Sequence, residues 1–530
     1  MNKPSAATTA EPAVSAPAVS AAEQRFEDIR RRAGLFIAPL AALAIYILAG
    51  GLTPECRRLS AILVFVAALW VTEAIPIPIA SLTGAMLAVI FAVTDAKTAF
   101  APFADPIVFL FIGSFILTQA MMQHRLDRRF ALAVLSLPVI GGSPLGLLIG
   151  LGLVTATLSM LVSNTATAAM MMPIAIGILA TLSDLRKAHS PVGQGFATGM
   201  LLMVAYAASI GGIVTPVGSP PNLICIGLLK KLAGTQISFV QWICLCLPIF
   251  FAMFAALVTV LYLLHPPKRS QPAPGELSSS GLLDSSTPGL LEYIRAQRQQ
   301  LGPWTAGQIN TLIAFAVAIV LWVGPGVLAA FVDKEHPLLA FCSARLPEAV
   351  AALLAASLLF ILPTDWKQHQ FTLTWKQAAE IDWGTILLFG GGLSLGGLMF
   401  TTGLADTLGR SVMGLLGVKS LWMLTATATL LGILLTEVTS NTAAANMIIP
   451  VVIALSKEAG VSPLPPALGA CLGASFAFML PISTPPNAIA YSTGKIPITK
   501  MIRAGIIYDA VGFVIILAGL RLLCPLLGLM

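Results

Sequence analysis

The sequence predicts an all-α polytopic membrane protein with two inverted-topology repeats, each containing a re-entrant hairpin and a broken helix, in about 11 transmembrane segments. Composition is the first basis: of 530 residues, 57% are hydrophobic and only 10% charged, whereas a soluble protein carries about a quarter charged residues. The second basis is the recurrence of long apolar runs from Gly34 to the C-terminus. The third is an internal duplication.

Two polar motifs occur twice, in the same order. Residues 158–173 read LSMLVSNTATAAMMMP and residues 435–450 read LTEVTSNTAAANMIIP, with half of the sixteen positions identical. Behind them follow TPVGSPPN at 215–222 and LPISTPPN at 480–487. Ahead of them, FLFIGSF at 109–115 corresponds to LLFGGGL at 387–393. Two copies of one half-protein are typical of duplicated transporters.

The N-terminal segment is expected to be a disordered tail. Its first 24 residues are mostly Ala, Pro, Ser and Thr, without the apolar core of a signal peptide. Arginines at positions 25, 30, 31 and 32 precede the first span, and such a cluster favours a cytoplasmic N-terminus. We therefore predict a disordered cytoplasmic tail over residues 1–33.

The other elements follow from apolar runs and the breaks between them. The run 145–162 is short, glycine-rich at its start and polar at its end, which favours a re-entrant hairpin. Residues 266–303 are the longest polar stretch and are predicted to link the repeats, while 363–383 is predicted to be interfacial. Membrane spans are predicted at 34–52, from 60 up to a proline break at 76–78, and from this break to 93. Further spans are predicted at 106–123, 166–182, 195–213, 239–264, 311–332 and 346–362, then one that starts at 386, and two at 465–479 and 506–527.

The paired prolines predict interrupted helices that line a cavity. Pro220 and Pro221 remove two N–H donors and favour the first turn of a new half-helix, with Ser219 near its N-cap. In hydrocarbon, unwound backbone is tolerated only beside a cavity. Helix N-termini offer free N–H groups to an anion, and the carbonyls of broken ends suit a cation.

The repeated asparagines suit both partners. An amide offers its oxygen to a cation and its N–H₂ to a carboxylate, so Asn164 and Asn441 are candidates for both roles. Ser159 and Thr436 lie four residues before Ser163 and Ser440 and add hydroxyl oxygens. The pattern predicts two cation sites beside one anion. The alternative is that Ser, Thr and Asn only join helices by hydrogen bonds. The presence of two SNT motifs, each followed by a PPN helix break, disfavours this alternative.

Other residue types narrow the function classes. The net charge of +7 is spread over loops, which fits the positive-inside bias and not nucleic-acid binding. The five histidines lie at segment ends or in loops, and the seven cysteines lack a CxxC pair, which disfavours a metal centre or disulfides. Glu73 and Glu437 are acids within apolar sequence, either proton sites or structural; the lack of an acid opposite Glu437 in the first repeat favours a structural role.

The four motifs resemble the divalent anion/sodium symporters, the family of sodium-coupled dicarboxylate, citrate and sulfate carriers. The resemblance extends from about Gly34 to the C-terminus. It implies a homodimer in the lipid bilayer, with a scaffold domain and an elevator-type transport domain in each protomer. Two departures are Ser483, where the family usually has alanine, and Ala444, which replaces a threonine.

Position by position, the resemblance also implies the site. One sodium site would comprise Ser159, Ser163, Asn164 and the carbonyl of Gly218, and the other Thr436, Ser440, Asn441 and the carbonyl of Ser483. The substrate carboxylates would meet Asn164, Thr165, Ser219, Asn441, Thr442 and Thr484, with Pro485 beside them.

The implied domains combine the repeats with this architecture. Scaffold helices are predicted at 34–135 and 236–400, including the linker 266–303, and transport-domain parts at 136–235 and 401–530. The predicted function is sodium-coupled symport of C4 dicarboxylates such as succinate, malate and fumarate in a plasma membrane, most simply the bacterial inner membrane. The alternatives are sodium-independent exchange, or sodium-coupled transport of citrate or sulfate. A channel or a membrane enzyme is disfavoured because the motifs contain no convergent nucleophile or acid/base pair.

Overall fold

The computed structural model describes residues 21–137, 143–186, 194–267, 287–333, 336–416 and 420–530. Within these ranges the chain forms 23 α-helices, short 3₁₀ and π turns, and one small β-hairpin. Seven of the described helices are long and apolar enough to cross a membrane, and several apolar helices of 10–17 residues accompany them. The prediction of an all-α polytopic membrane protein is therefore confirmed.

The first half of the chain carries twelve of these helices. They are α1 (Ala21–Leu48), α2 (Pro54–Thr72), α3 (Ile77–Ile90), α4 (Ala96–Phe100), α5 (Pro106–Gln123), α6 (Leu126–Leu135), α7 (Pro144–Ser159), α8 (Asn164–Arg186), α9 (Gln194–Gly211), α10 (Pro220–Leu228), α11 (Phe239–Leu264) and α12 (Thr287–Gln300). A 3₁₀ turn, Ala101–Ala104, precedes α5, and a π turn, Leu229–Ala233, follows α10.

The second half repeats most of this order. It contains α13 (Ala306–Phe331), α14 (Pro337–Arg345), α15 (Glu348–Ile361), β1 (Pro363–Asp365), β2 (Gln370–Phe371), α16 (Trp375–Ala378), α17 (Trp383–Thr401), α18 (Leu404–Leu416), α19 (Leu421–Thr436), α20 (Asn441–Glu458), α21 (Leu464–Ala474), α22 (Pro485–Ser492) and α23 (Ile498–Leu526). The helices α5 to α11 correspond in order to α17 to α23, which is the internal duplication that the motifs predict.

The first helix is longer than the sequence analysis predicts. α1 begins at Ala21, so residues 21–33, predicted to be disordered, form its first turns. This segment is rich in Ala, Glu and Arg, which favour helix, and Glu27 lies 3.7 Å from Arg31 one turn later. The rest of the predicted tail, residues 1–20, lies outside the described residues.

Glu73 ties this helix to the break between α2 and α3. The residue ends α2 in the left-handed conformation, with φ 49° and ψ 33°. Its carboxylate lies 2.9 Å from the guanidinium of Arg30 on α1. Of the two roles that the sequence leaves open for Glu73, the ion pair supports the structural one.

We expect Arg30→Gln to lower the free energy of unfolding by about 1 kcal/mol or less, because the ion pair is partly exposed to solvent. Thermal unfolding of the purified protein in detergent measures the change. Arg32→Gln, at an exposed position of the same helix, is the matched control and should leave stability unchanged. A much larger loss for Arg30→Gln would mean that the whole helix detaches.

The predicted linker contains a docked helix. Residues 268–286 lie outside the described residues, but α12 follows directly and contacts α6 and α8. Arg128 donates a 3.0 Å hydrogen bond to Gln297, and Arg129 donates to the carbonyls of residues 301, 302 and 303. The second part of the predicted linker 266–303 therefore contains a helix, α12.

The two repeats contact each other reciprocally through their half-helices. The half-helix α10 of the first repeat contacts α20 and α21 of the second, and the half-helix α22 contacts α8 and α9. The thiol of Cys225 on α10 reaches the carbonyl of Ala467, and the thiol of Cys471 on α21 reaches that of Pro221. Such exchanged contacts are expected of repeats related by a pseudo-two-fold axis.

Candidate functional site

Each SNT motif lies at the tip of a helical hairpin. α7 and α8 contact each other and are joined by residues 160–163, and α19 and α20 are joined in the same way by 437–440. Ser440 is the N-cap of α20 and accepts from the N–H of Ala443 at 3.2 Å. Ser163 accepts from the N–H of Ala166 at 3.3 Å. Both serines therefore cap the second arm of their hairpin, as Ser does at helix N-termini.

Both predicted helix breaks are present. The first break, residues 212–219, separates α9 from α10, and the second break, residues 475–484, separates α21 from α22. Ser219 and Thr484 occupy the N-cap positions with nearly identical extended backbones, φ −145°, ψ 139° and φ −143°, ψ 148°. Paired prolines at the next two positions remove the N–H groups that start each half-helix.

The hydroxyl groups at these two N-caps are available to a ligand. Neither Ser219 nor Thr484 makes the usual N-cap side-chain bond. Ser219 is 2% exposed and Thr484 4% exposed, and the Thr484 hydroxyl has no hydrogen-bond partner in the described protein. A buried unpaired hydroxyl is costly, so these positions are suited to an acceptor such as a carboxylate.

Two further asparagines hold the breaks in shape. The amide of Asn222 donates to the carbonyls of Gly212 and Thr215, both at 2.8 Å. The amide of Asn487 donates to the carbonyls of Ala477 and Leu480 at 2.9 and 3.1 Å. Asn222 and Asn487 were not among the predicted site residues. Their occurrence as the last residue of both PPN motifs is the sequence feature that would have indicated a shared role.

A first cluster of oxygen atoms forms where the first hairpin meets the first break. The Ser159 hydroxyl lies 2.8 Å from Oδ1 of Asn164 and 2.6 Å from the carbonyl oxygen of Ala208. One hydroxyl proton cannot serve both acceptors, so the three oxygens together favour a cation. This group of atoms is called the first oxygen cluster below.

Two glycines of the first break lie close to this hairpin tip. A Cβ at Gly218 would lie 2.7 Å from the Gly212 carbonyl oxygen and 3.0 and 3.1 Å from those of Met160 and Ser159, and a Cβ at Gly212 would lie 2.3 Å from Oδ1 of Asn164. Backbone carbonyls surround Gly218, so a larger residue does not fit there, whereas a methyl group at Gly212 would push the Asn164 amide aside.

If the first oxygen cluster holds the sodium ion that the resemblance implies, Gly212→Ala should raise the sodium concentration for half-maximal transport by about tenfold, because the new methyl group displaces the Asn164 amide at a cost of about 1.5 kcal/mol, one hydrogen bond to a charged group. Transport by purified protein in liposomes at varied sodium measures this. Gly324→Ala in α13, whose Cβ would meet nothing within 4 Å, is the control. An unchanged sodium dependence for Gly212→Ala would remove the first oxygen cluster from the sodium site.

The second repeat reproduces the arrangement. The Thr436 hydroxyl lies 2.7 Å from Oδ1 of Asn441 and 2.8 Å from the carbonyl oxygen of Ala474, which form the second oxygen cluster. Here Ser483 stands in place of Gly218, and its hydroxyl donates to the Leu480 carbonyl at 2.5 Å. The Ser483 side chain thus makes its hydrogen bond to another residue of the second break.

Glu437 is the principal difference between the repeats. Its Oε1 accepts from the N–H groups of Phe478 and Met479 at 2.7 and 2.9 Å, and its Oε2 from that of Leu480 at 3.2 Å. The corresponding residue of the first repeat is Met160, whose backbone carbonyl accepts from the Thr215 hydroxyl. Glu437 therefore has a structural role, which is to satisfy the unwound N–H groups of the second break.

Among the predicted site residues, hydrogen bonds join Ser159 to Asn164 and Thr436 to Asn441, while the others share only the location at a hairpin tip or a helix break. Ser159, Gly218, Ser219, Thr436, Ser483 and Thr484 are buried, Asn164, Asn441, Thr442 and Ser440 are half-buried, and Ser163, Thr165 and Pro485 are exposed. Thr165 and Thr442 follow the asparagines in the first turns of α8 and α20, and Pro485 opens α22.

Comparisons with known proteins identify the class. Residues 31–530 match the family described as "Sodium:sulfate symporter transmembrane region". The chain is 31% identical over 511 residues to the sodium-dependent dicarboxylate transporter SdcS of Staphylococcus saprophyticus, covering 95% of this chain and 93% of that protein. It is 33% identical over 469 residues to SdcS of Staphylococcus aureus strain MRSA252, covering 88% and 85%.

Two other similarities complete this picture. An uncharacterized transporter of Haemophilus influenzae is 33% identical over 464 residues, covering 87% of this chain and 91% of that protein. Among solved structures, the YdaH transporter of Alcanivorax borkumensis shares the fold with a TM-score of 0.51 and 16% identity, covering 80% of this chain and 85% of that one. The resemblance predicted from the four motifs is confirmed. The chain therefore belongs to the sodium:sulfate symporter family of transporters and is a multi-pass protein of the plasma membrane.

Proposed function

We propose that the protein is a sodium-driven symporter of C4 dicarboxylates such as succinate, malate and fumarate, and a carrier rather than an enzyme. The observation that carries the proposal is the duplicated oxygen cluster, each copy next to a half-helix whose N-cap hydroxyl is unbonded. The relatives named as sodium-dependent dicarboxylate transporters support the same substrate class.

The cation sites follow from the chemistry of the donors. The first would use Ser159, Ser163, Asn164 and the Gly218 carbonyl, and the second Thr436, Ser440, Asn441 and the Ser483 carbonyl. These donors are all uncharged oxygens, which suits a hard monovalent cation and lacks the carboxylates or imidazoles that divalent metals prefer in proteins. The carbonyls of Ala208 and Ala474 border the two sites.

The dicarboxylate would lie between the two hairpin tips. Its carboxylates would bind Asn164, Thr165 and Ser219 from the first repeat and Asn441, Thr442 and Thr484 from the second, with Pro485 beside them. No lysine or arginine occurs in the four motifs, so helix N-termini and bound sodium ions must offset a charge of minus two. Empty cation sites would leave the dianion uncompensated, which couples its binding to sodium.

Transport would follow an elevator mechanism in a homodimer, as the resemblance implies. The hairpins and broken helices would form the moving unit, and α1 to α6 with α13 to α17 would form the scaffold. The boundary predicted at residue 236 places α11 in the scaffold; α11 does contact α13 of the scaffold, but it packs mainly on α9 and α23. Because α11 corresponds to α23 in the duplication, we assign it to the moving unit.

Uptake of labelled succinate into proteoliposomes tests the function. We expect uptake to need an inward sodium gradient and to be inhibited by malate and fumarate more than by citrate or sulfate. Exchange of internal for external succinate without sodium would contradict symport. Stronger inhibition by citrate or sulfate would contradict the C4 assignment, and unitary currents in a bilayer would indicate a channel.

A further inference from the structure

The second repeat contains a close contact between the scaffold helix α17 and the hairpin arm α20. A Cβ at Gly392 of α17 would lie 1.7 Å from Oδ1 of Asn446 on α20. One turn later, a Cβ at Gly396 would lie 3.3 Å from Cγ of Pro450. Gly392 and Gly396 have the spacing of a GxxxG motif, which lets two membrane helices approach closely. The two helices therefore pack directly on each other at two successive turns.

The amide oxygen of Asn446 is unpaired in this contact. The residue is 4% exposed, and its Nδ2 donates to the Thr442 carbonyl of the same helix at 3.0 Å. No described N–H or O–H group donates to its Oδ1, which faces the backbone of Gly392. A Cα–H group is only a weak donor, and a buried unpaired oxygen is costly. The contact is therefore close but leaves one polar atom unsatisfied.

The equivalent positions of the first repeat have different surroundings. In the duplication the counterparts of Gly392, Gly396, Asn446 and Pro450 are, in that order, Ser114, Thr118, Ala169 and Pro173. Asn446 and Pro450 are buried, whereas Ala169 and Pro173 are exposed. Among the described residues, α5 and α8 make no contact comparable to that of α17 and α20. The two hairpins therefore lie differently on their scaffold helices.

A hydrogen bond shows the size of this difference. The Thr118 hydroxyl on α5 donates to the carbonyl of Leu161, at the tip of the first hairpin, at 3.2 Å. In the second repeat the equivalent position of α17 meets Pro450. Its counterpart Pro173 lies about 14 Å along α8 from Asn164, the first residue after the tip, at about 1.5 Å per residue. The first hairpin is thus displaced by roughly this length relative to the second.

We propose that the Gly392–Asn446 contact holds the moving unit in one end state of transport, and that the equivalent pair of the first repeat, Ser114 and Ala169, holds it in the opposite end state. Because the repeats share one fold, exchanging the positions of their two hairpins gives a second arrangement of the same kind. In that arrangement α8 lies along α5 and Ala169 meets Ser114. Both contacts rest on the proposed function, since they join the scaffold to the unit that would move.

The two contacts differ in strength. Asn446 brings an unpaired amide oxygen into the second contact, whereas Ala169 brings only a methyl group to the first. In the opposite end state Asn446 would have the exposed position that Ala169 has here, and its oxygen would no longer be enclosed. The Asn446 side chain therefore destabilises the state described here relative to the opposite one, which shortens the time that the moving unit spends in it.

Oxidative crosslinking of the full-length protein in liposomes tests the two pairs. Gly392→Cys with Asn446→Cys should form a disulfide, because a Cβ at Gly392 lies 3.2 Å from that of Asn446, near the range of about 3.5–4.5 Å for disulfides. Ser114→Cys with Ala169→Cys should form one during uptake, in the presence of sodium and succinate. Gly392→Cys with Ala169→Cys is the control and should form none. Mass spectrometry of the peptides identifies each disulfide.

The outcomes separate this proposal from the proposed function. If the variant with cysteines at positions 114 and 169 takes up succinate under reducing conditions but never forms its disulfide, the proposal is overturned. If wild type shows no sodium-driven uptake, the proposed function is refuted, and a disulfide between positions 114 and 169 would still support the two end states.

Two single variants, added to the cysteine pair at 114 and 169, test the role of Asn446. Asn446→Leu keeps the side-chain shape without the unpaired oxygen and should slow formation of this disulfide about tenfold. Gly392→Ala, whose methyl group collides with Oδ1, should accelerate it, and Gly324→Ala should leave it unchanged. Shifts in the same direction, or no shift, would overturn this role. If Asn446→Leu does not fold, an unchanged rate in Gly392→Ala would do so.

Discussion

Replacing Asn164 or Asn441 by alanine should reduce sodium-driven dicarboxylate uptake by at least about a hundredfold. Each amide oxygen belongs to an oxygen cluster, at 2.8 Å from Ser159 and 2.7 Å from Thr436, and each N–H₂ group would remain to bind a substrate carboxylate. Losing an ion ligand and a bond to a carboxylate together costs about 3 kcal/mol or more, which corresponds to at least a hundredfold. Initial uptake rates in proteoliposomes, with reconstitution checked by size-exclusion chromatography, measure the effect.

The control for this experiment is a third structural asparagine. Asn310 on α13 donates to the Pro363 carbonyl and the Thr372 hydroxyl, at 3.0 and 2.8 Å, outside both oxygen clusters. Asn310→Ala should therefore leave the sodium and succinate dependence of folded protein unchanged. If Asn164→Ala or Asn441→Ala transports like wild type, that asparagine does not belong to the site.

Replacing Glu437 by leucine should lower the free energy of unfolding by about 3 kcal/mol or more. The variant leaves three N–H groups of the second break without an acceptor, those of buried Phe478 and of half-buried Met479 and Leu480, and a buried unsatisfied group costs about 1–3 kcal/mol. Thermal or denaturant unfolding in detergent measures the loss, and limited proteolysis near residues 475–484 should detect the loosened segment.

The matched position in the first repeat provides the comparison. Met160→Leu is a volume-conserving change that keeps the backbone carbonyl to which Thr215 donates, so it should cost less than about 1.5 kcal/mol. Comparable losses at the two positions would show that Glu437 contributes only through packing and not through its carboxylate.

The features that the duplicated motifs determine were predictable from the sequence. The SNT motifs locate the hairpin tips and the PPN motifs locate the helix breaks, because proline and N-cap residues act on the backbone within one turn. For the same reason Ser219 was expected near an N-cap, where the structure has it. Two independent copies of each signal removed the ambiguity that a single polar motif in apolar sequence leaves.

Features that depend on distant contacts were not predictable. The helix over residues 21–33 lies on the protein through Arg30 and Glu73, and α12 docks through Arg128 and Gln297. Both segments look polar and unpatterned when read alone.

The exchanged contacts of the half-helices have a consequence for biosynthesis. α10 is completed early in translation but rests on α20 and α21, which leave the ribosome more than two hundred residues later. Until then the surface of α10 that packs on α20 and α21 has no partner of the second repeat within the newly inserted chain. The first repeat can therefore complete its packing only after the second repeat has been inserted into the membrane. A membrane insertase or chaperone has its longest opportunity to act during that interval.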